Sequence, residues 1–176
     1  MGILSRILGK ERPAFEDGRR IYQSLMAQSR NPAFFGDDKV KDSYAGRIDV
    51  LTLHMSVVMY VLRNHGENGE KLSQGLFDAM VDDFDIALRD EGLTDSGVKR
   101  RIKPMARHFY TGLKTISEGL QSGHVSEAIT TDAMAGASES FKSKYASYAK
   151  ALLTQIEPLS LGDIALARFT FPSLSA

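Results

Sequence analysis

DSYAGRIDVLTLHMSVVMYVLRN, residues 42–64, decides the fold. Tyr44, Ile48, Leu51, Met55, Val58 and Leu62 recur at steps of four and three, the spacing that lines one face of an α-helix. Val50, Leu53, Val57 and Val61 fill the other faces. A helix that is apolar nearly all round must be surrounded by other elements, so this is a central helix. Asp42 or Ser43 stands where its N-cap is wanted. The apolar part, 48–62, contains Asp49 and His54 and falls short of the ~20 residues that span a bilayer. A core element is expected here, not a membrane span.

The helical period continues on both sides. Upstream, 15–28 places Ile21, Tyr22, Leu25 and Met26 on one stripe, and SRNPAFFGDDKVKD breaks it with an Asn-Pro turn and a Gly-Asp-Asp cluster. Downstream, Gly66 and Gly69 are expected to close the central helix. The next helix, 70–90, carries Leu76, Phe77, Met80, Val81, Phe84, Ala87 and Leu88 on a broad apolar face, with Asp78, Asp82 and Asp85 opposite. After Gly92 and Thr94-Asp95-Ser96-Gly97, a basic segment leads to Pro104, which is expected in the first turn of a helix ending near 120. Ile102, Met105, Phe109, Leu113 and Ile116 line its inner side. A weaker helix is expected at 125–135 and a stronger one at 138–156, stopped by Pro158. Helices without a convincing strand pair imply a single compact all-α domain of about six helices. The organisation expected is an amphipathic segment at 1–12, the helical domain at 13–158, and an extended tail packed on it at 159–176.

Composition narrows the chemistry. The chain has 176 residues, enough for one domain, and its Lys+Arg and Asp+Glu counts are equal at 22, so it lacks the general positive field of nonspecific nucleic-acid binders. No nucleic-acid partner is expected. The absence of cysteine excludes disulfides, thiolate metal sites, iron–sulfur clusters and a Cys nucleophile. MGILSRILGK is too short in its apolar run for a signal peptide. Its Ile3, Leu4, Ile7 and Leu8 stripe beside Arg6 and Lys10 suits weak contact with an anionic membrane surface, or else a docked terminus.

Charge reverses sharply in VDDFDIALRDEGLTDSGVKRRIKPMARHFY, residues 81–110. Asp82, Asp83 and Asp85 are followed by Arg89 and then by Lys99, Arg100, Arg101, Lys103 and Arg107. Asp78 and Asp82 have the four-residue spacing of helical isoprenoid synthases, where aspartates hold magnesium and a diphosphate. Such a site needs a second acidic helix facing the first, and none is evident. No His has a Glu three residues before it, as a di-iron bundle would need, and no Gly-x-Ser-x-Gly elbow is present. His54, on a nearly all-apolar helix, reads as a hydrogen-bonded core histidine. No catalytic residue, metal site or cofactor is assigned. Two readings of the charge reversal remain: the acidic and basic stripes pair with each other across the turn, or they dock a partner.

The run LFDAMVDDFDIALRDEGLTDSGVKRRIKPMARHFY closely resembles the ubiquinol–cytochrome c chaperone family, helical assembly factors for cytochrome b of the cytochrome bc complex. Asn31-Pro32 before Phe34-Phe35, and Gly46-Arg47-Ile48-Asp49 leading to Leu53-His54, are similar to that family as well, as is the aromatic pair Phe109-Tyr110. The likeness is strongest over 22–110, with a family-like close at Ala167-Arg168-Phe169 to Pro172. Members often carry Gly-Arg after the aromatic pair, where this chain reads Thr111-Gly112. The resemblance implies a noncatalytic chaperone that binds newly made cytochrome b at the membrane surface and promotes assembly of the complex. It implies a possible role for a second assembly factor, as in mitochondrial members. Without a transit-like extension, a cytoplasmic protein peripheral on the inner face of a bacterial inner membrane is expected. The Asp78/Asp82/Asp83/Asp85 face suits the Lys- and Arg-rich cytoplasmic loops of a membrane protein.

Overall fold

The computed structural model describes residues 12–174. Helix α1 spans Arg12–Ser29, α2 Tyr44–Leu62, α3 Gly66–Asp90, α4 Asp95–Ser122, α5 Val125–Ala128, α6 Glu139–Ile156 and α7 Leu161–Ala165. Single 3₁₀ turns at Pro32–Phe34, Arg63–His65 and Asp132–Met134 join them. Among the described residues no strand forms beyond a lone bridge between Phe35 and Val40. The fold is all-α, as the periodicity implies.

Ser43 caps α2, its Oγ accepting the Gly46 N–H at 3.2 Å. Every residue from Val50 to Met59 is buried, because α1, α3, α4 and α6 all pack against this helix. The run Tyr44–Asp90 contains a stretch long and apolar enough to cross a membrane, yet 78% of that stretch is buried inside the protein. Its apolar surface is already covered by the core. Tyr44 departs from the stripe to which its spacing assigns it: it is 66% exposed, its ring outside the core and its hydroxyl on Met105 Sδ at 3.3 Å.

The turn after α2 is tighter than the glycines suggest. Arg63–His65 winds as a 3₁₀ turn, and Gly66, at φ +60°, opens α3 instead of ending α2. Helix α3 then runs back against α1. Their closest approach is at Gly18 and Gly75, where a Cβ on either would strike the backbone of the other helix. Thr130 and Thr131 interrupt the helix expected at 125–135. Thr130 Oγ1 donates to the Ser126 carbonyl at 2.9 Å, and Thr131 is extended, so α5 stops at Ala128. The tail expected to be extended from 159 forms the short helix α7, capped by Ser160 Oγ on the Asp163 N–H. Ile164 is fully buried and Arg20 donates to the Ala165 carbonyl at 2.8 Å, which ties this helix to α1.

Pro104 lies inside α4, not in its first turn. Val98, 1% exposed, and Ile102 continue the inner stripe of Met105 and Phe109 upstream, so burial extends the helix back to Asp95. A proline in a helix interior costs about 3 kcal/mol or more through its lost N–H and its clash with the preceding turn. Burying Val98 and Ile102 offsets much of that. The basic residues therefore sit within the helix, and its first turn carries Asp95.

His54 is the polar centre of the core. It has no solvent exposure, and its ring nitrogens lie 2.7 Å from the Val50 carbonyl and 2.7 Å from the Tyr148 hydroxyl. The carbonyl can only accept, so Nδ1 donates to it and Nε2 accepts from Tyr148. Tyr148 in turn accepts from Gln28 Nε2 at 3.1 Å. Phe34 packs edge-on against His54, Tyr145 and Tyr148, and Phe171 of the tail reaches His54 from another side. One neutral imidazole thus links α1, α2, α6 and the C-terminal tail.

Two outcomes follow from this core. Met55 is fully buried on α2, so Met55→Asp strands a charge in the core at a cost of several kcal/mol, comparable with the whole stability of an ordinary domain. Circular dichroism melting is expected to show loss of the cooperative transition, and an unchanged profile would refute the central placement of α2. Burial pushes the His54 pKa down to about 4. The unfolded chain takes up that proton near pH 6.5, so stability is full above 6.5 and falls as the pH drops toward 4, by on the order of 3 kcal/mol. Urea unfolding at pH 7.5 and 5.0 is expected to show about 2 kcal/mol of this loss, and His54→Gln is expected to flatten it.

Candidate partner-docking surface

The outward faces of α3 and α4 carry the charges that the sequence singles out. Asp78, Asp82 and Asp85 step by four and three along α3 and form an outward ridge. Phe77 leans toward α4, its ring 4.9 Å from that of Tyr110 and 5.7 Å from that of Phe109. Asp83 turns the other way and accepts the Tyr22 hydroxyl of α1 at 2.7 Å. It ties α1 to α3 and stands apart from the ridge. Burial, together with the acceptor Asp83, raises the Tyr22 pKa, so this phenol stays protonated.

The two charged stripes do not pair with each other as a set. Arg89 is the only bridge between the two helices' acids among the described residues, with Asp85 at 2.5 Å and Asp95 at 2.6 Å. It fastens the end of α3 to the start of α4, and it holds the Asp95 carboxyl below its usual range. Arg101 approaches Glu91 only to 3.7 Å. Asp78 accepts from Gln74 on its own helix. No ion pair connects Lys99, Arg100, Lys103 or Arg107 to the acidic ridge among the described residues. None of the pairs expected between Asp78, Asp82 or Asp85 and Lys99, Arg100, Arg101 or Lys103 forms among the described residues; across the turn only Arg89 with Asp95 and Arg101 with Glu91 meet.

Asp82 shows the consequence. Partial burial, then the neighbouring charges of Asp85 and Asp83, raise its pKa, and only Arg19 of α1 acts in the opposite direction. A ridge whose members disfavour one another's ionisation gains from an external cation. Two large apolar side chains stand beside it: Ile86 is 52% exposed and Tyr110 is 50% exposed. Neither Ile86 nor the exposed ring of Tyr44 stands out in the sequence as surface, since their spacing does not distinguish them from buried neighbours.

The family-like residues outside this region shape the scaffold. Asn31 Oδ1 accepts the Ala33 N–H at 2.9 Å and Pro32 starts the 3₁₀ turn that drives Phe34 into the core. A Cβ on Gly46 would strike the Lys41 carbonyl, so the loop can lie flush on α2 only with glycine there. Arg47 pairs with Asp42 at 2.8 Å and lies over the Phe35 ring. Asp49, with a side chain 9% exposed, meets the exposed His108 Nε2 at 2.6 Å and joins α2 to α4. Phe109 is buried beside them. Among the described residues no group of three or more His, Asp or Glu side chains converges to hold a metal ion. Asp78 and Asp82 lie on the outer side of α3, and among the described residues no further acidic side chains converge on them.

A solved structure shares this architecture: the crystal structure of the Cbp3 homolog from Brucella abortus, 21% identical, covering 98% of each chain with a TM-score of 0.73. At that identity the likeness is one of fold. No curated protein matches the chain. The ubiquinol-cytochrome C chaperone family model matches residues 37–171. It begins after Asn31-Pro32 and continues far beyond Tyr110, through α6 and α7 into the tail. With the model covering most of its length, the chain belongs to the ubiquinol–cytochrome c chaperone family.

Proposed function

We propose that the protein is an assembly chaperone that binds newly made cytochrome b at the membrane surface and promotes assembly of the ubiquinol–cytochrome c reductase complex. The observation that carries this reading is the outward acidic ridge of α3, with exposed Ile86 and Tyr110 beside it, in a chain of this family. Cytoplasmic loops of membrane proteins are enriched in Lys and Arg. Asp78 and Asp82 offer them unneutralised carboxylates, and the two apolar side chains offer contact area once the charges have aligned the partner. The action is binding and release, without turnover of a substrate. The location that suits it is the cytoplasmic face of the inner membrane, held there peripherally.

Charge reversal tests the ridge. Exposed ion pairs contribute about 0–1 kcal/mol each, so Asp78→Lys with Asp82→Lys should leave the melting temperature nearly unchanged. Crosslinking pull-down from native membranes is expected to recover cytochrome b with the wild-type chain and to lose it with this variant. Adding Lys99→Glu and Lys103→Glu should not restore capture, because the client's charges are unaltered. Full capture and normal complex assembly by the singly reversed protein would remove the client from this surface.

A further inference from the structure

The basic residues of α4 form a second ridge. At 3.6 residues per turn, Arg100, Lys103, Arg107 and Lys114 fall in one narrow sector and extend for about 21 Å along the axis. All four are exposed. Helix α4 carries no acidic residue between Asp95 and Glu118. Arg100, Lys103 and Arg107 have no ion-pair partner among the described residues, and Lys114 comes no closer than 3.9 Å to Glu118. These cations are not consumed in holding the fold together.

Beside this ridge, on the side of α2, lies an open groove of about 640 Å³. Tyr44, Ile48, Leu88, Pro104 and Met105 supply its apolar lining, and its polar lining is Arg100, His108 and the pair Arg101–Glu91, so Arg100 is its one cation without an acidic partner among the described residues. Of the residues that line it, Tyr44 leaves its ring 66% exposed. A ridge of exposed cations, three of them without an ion-pair partner among the described residues, next to an open and largely apolar groove selects a partner that is anionic outside and apolar within. A Lys- and Arg-rich client loop is repelled by such a ridge, so this surface differs in kind from that of α3. An acidic peptide would satisfy the cations but leave an apolar groove with nothing to receive. An anionic phospholipid supplies both parts.

We propose that α4 is a membrane-docking element. Its Arg100/Lys103/Arg107/Lys114 ridge lies on anionic phospholipid headgroups, and the groove lined by Tyr44, Ile48, Leu88, Pro104 and Met105 receives the apolar part of a lipid. Docked in this way, the protein holds the α3 ridge next to the bilayer surface. This contact is distinct from any made by residues 1–10, which lie outside the described residues. It also does not depend on the client, since lipid binding is measured without one.

Vesicle flotation of the full chain tests it, with phosphatidylcholine vesicles containing phosphatidylglycerol and with pure phosphatidylcholine. Arg100→Glu with Arg107→Glu is expected to weaken partition to the anionic vesicles by more than about tenfold, whereas Lys144→Glu with Lys150→Glu on α6, an equal change in net charge, should alter it by less than about twofold. Tyr44→Ser should remove the part of the binding that survives high salt. Circular dichroism on each variant establishes that it is folded. Equal losses in the α4 and α6 variants would reduce the effect to net charge and overturn the proposal. Unchanged flotation of the α4 variant, with all affinity lost on removing residues 1–10, would do the same. Unchanged flotation together with lost binding of a poly-glutamate peptide would give the ridge to an acidic protein instead.

Discussion

Helix α2 buries residues around its whole circumference, and the positions of the other long helices follow from the need to cover it. Helices α1, α3, α4 and α6 each take one side. At the centre stands a polar group, His54, whose two nitrogens are both satisfied without water. That arrangement makes the core specific as well as apolar: an imidazole left unpaired at zero exposure would cost more than the same volume of leucine. The Gln28–Tyr148–His54–Val50 chain requires α1, α2 and α6 to meet in one register, and Phe171 makes the C-terminal tail part of the same assembly.

With the core closed in this way, the amphipathic helices α3 and α4 place their charges outward. The interior absorbs only a few of them. Asp49, held by His108, and Asp83, held by Tyr22, brace neighbouring helices, and Arg89 fastens the elbow between α3 and α4. The remaining acids and bases lie on two ridges that stay apart. Charges of opposite sign on adjacent antiparallel helices would normally be expected to cross-link them. Here Phe77, Phe109 and Tyr110 occupy the seam, and the helix–helix contact is made by rings.

Separation of the ridges bears on the role of an assembly chaperone. A membrane-protein client has basic loops and is embedded in an anionic surface, two partners of opposite charge that must be met side by side. A protein with one mixed patch would bind either of them weakly. In the proposed docking, two neighbouring helices of opposite sign, joined through Arg89, would meet both partners. The formal net charge of zero leaves the chain without a net long-range field, so the proposed recognition rests on the local fields of the ridges.

Periodicity within the chain is sufficient to determine the all-α class, the central place of α2, the start of that helix at Asp42 or Ser43 and the core position of His54. Each depends on residues close together in sequence, where a side-chain period or a local hydrogen bond carries the information. The motifs shared with the chaperone family were legible for the same reason. What periodicity could not supply was which helix would neighbour which face. The stripes of α3 and α4 were visible, but their failure to pair depends on the rings of Phe77 and Tyr110 meeting across the seam. Pro104 was misplaced because the local rule places proline in a first turn, whereas burial of Val98 by distant elements extends the helix upstream. The same holds for the short helix α7, which five residues could not sustain without Ile164 buried against the core. The exposure of Tyr44 and the groove beside it arise only where the start of α2 and the end of α3 meet the first half of α4, a junction of residues up to 64 positions apart (Tyr44 to His108).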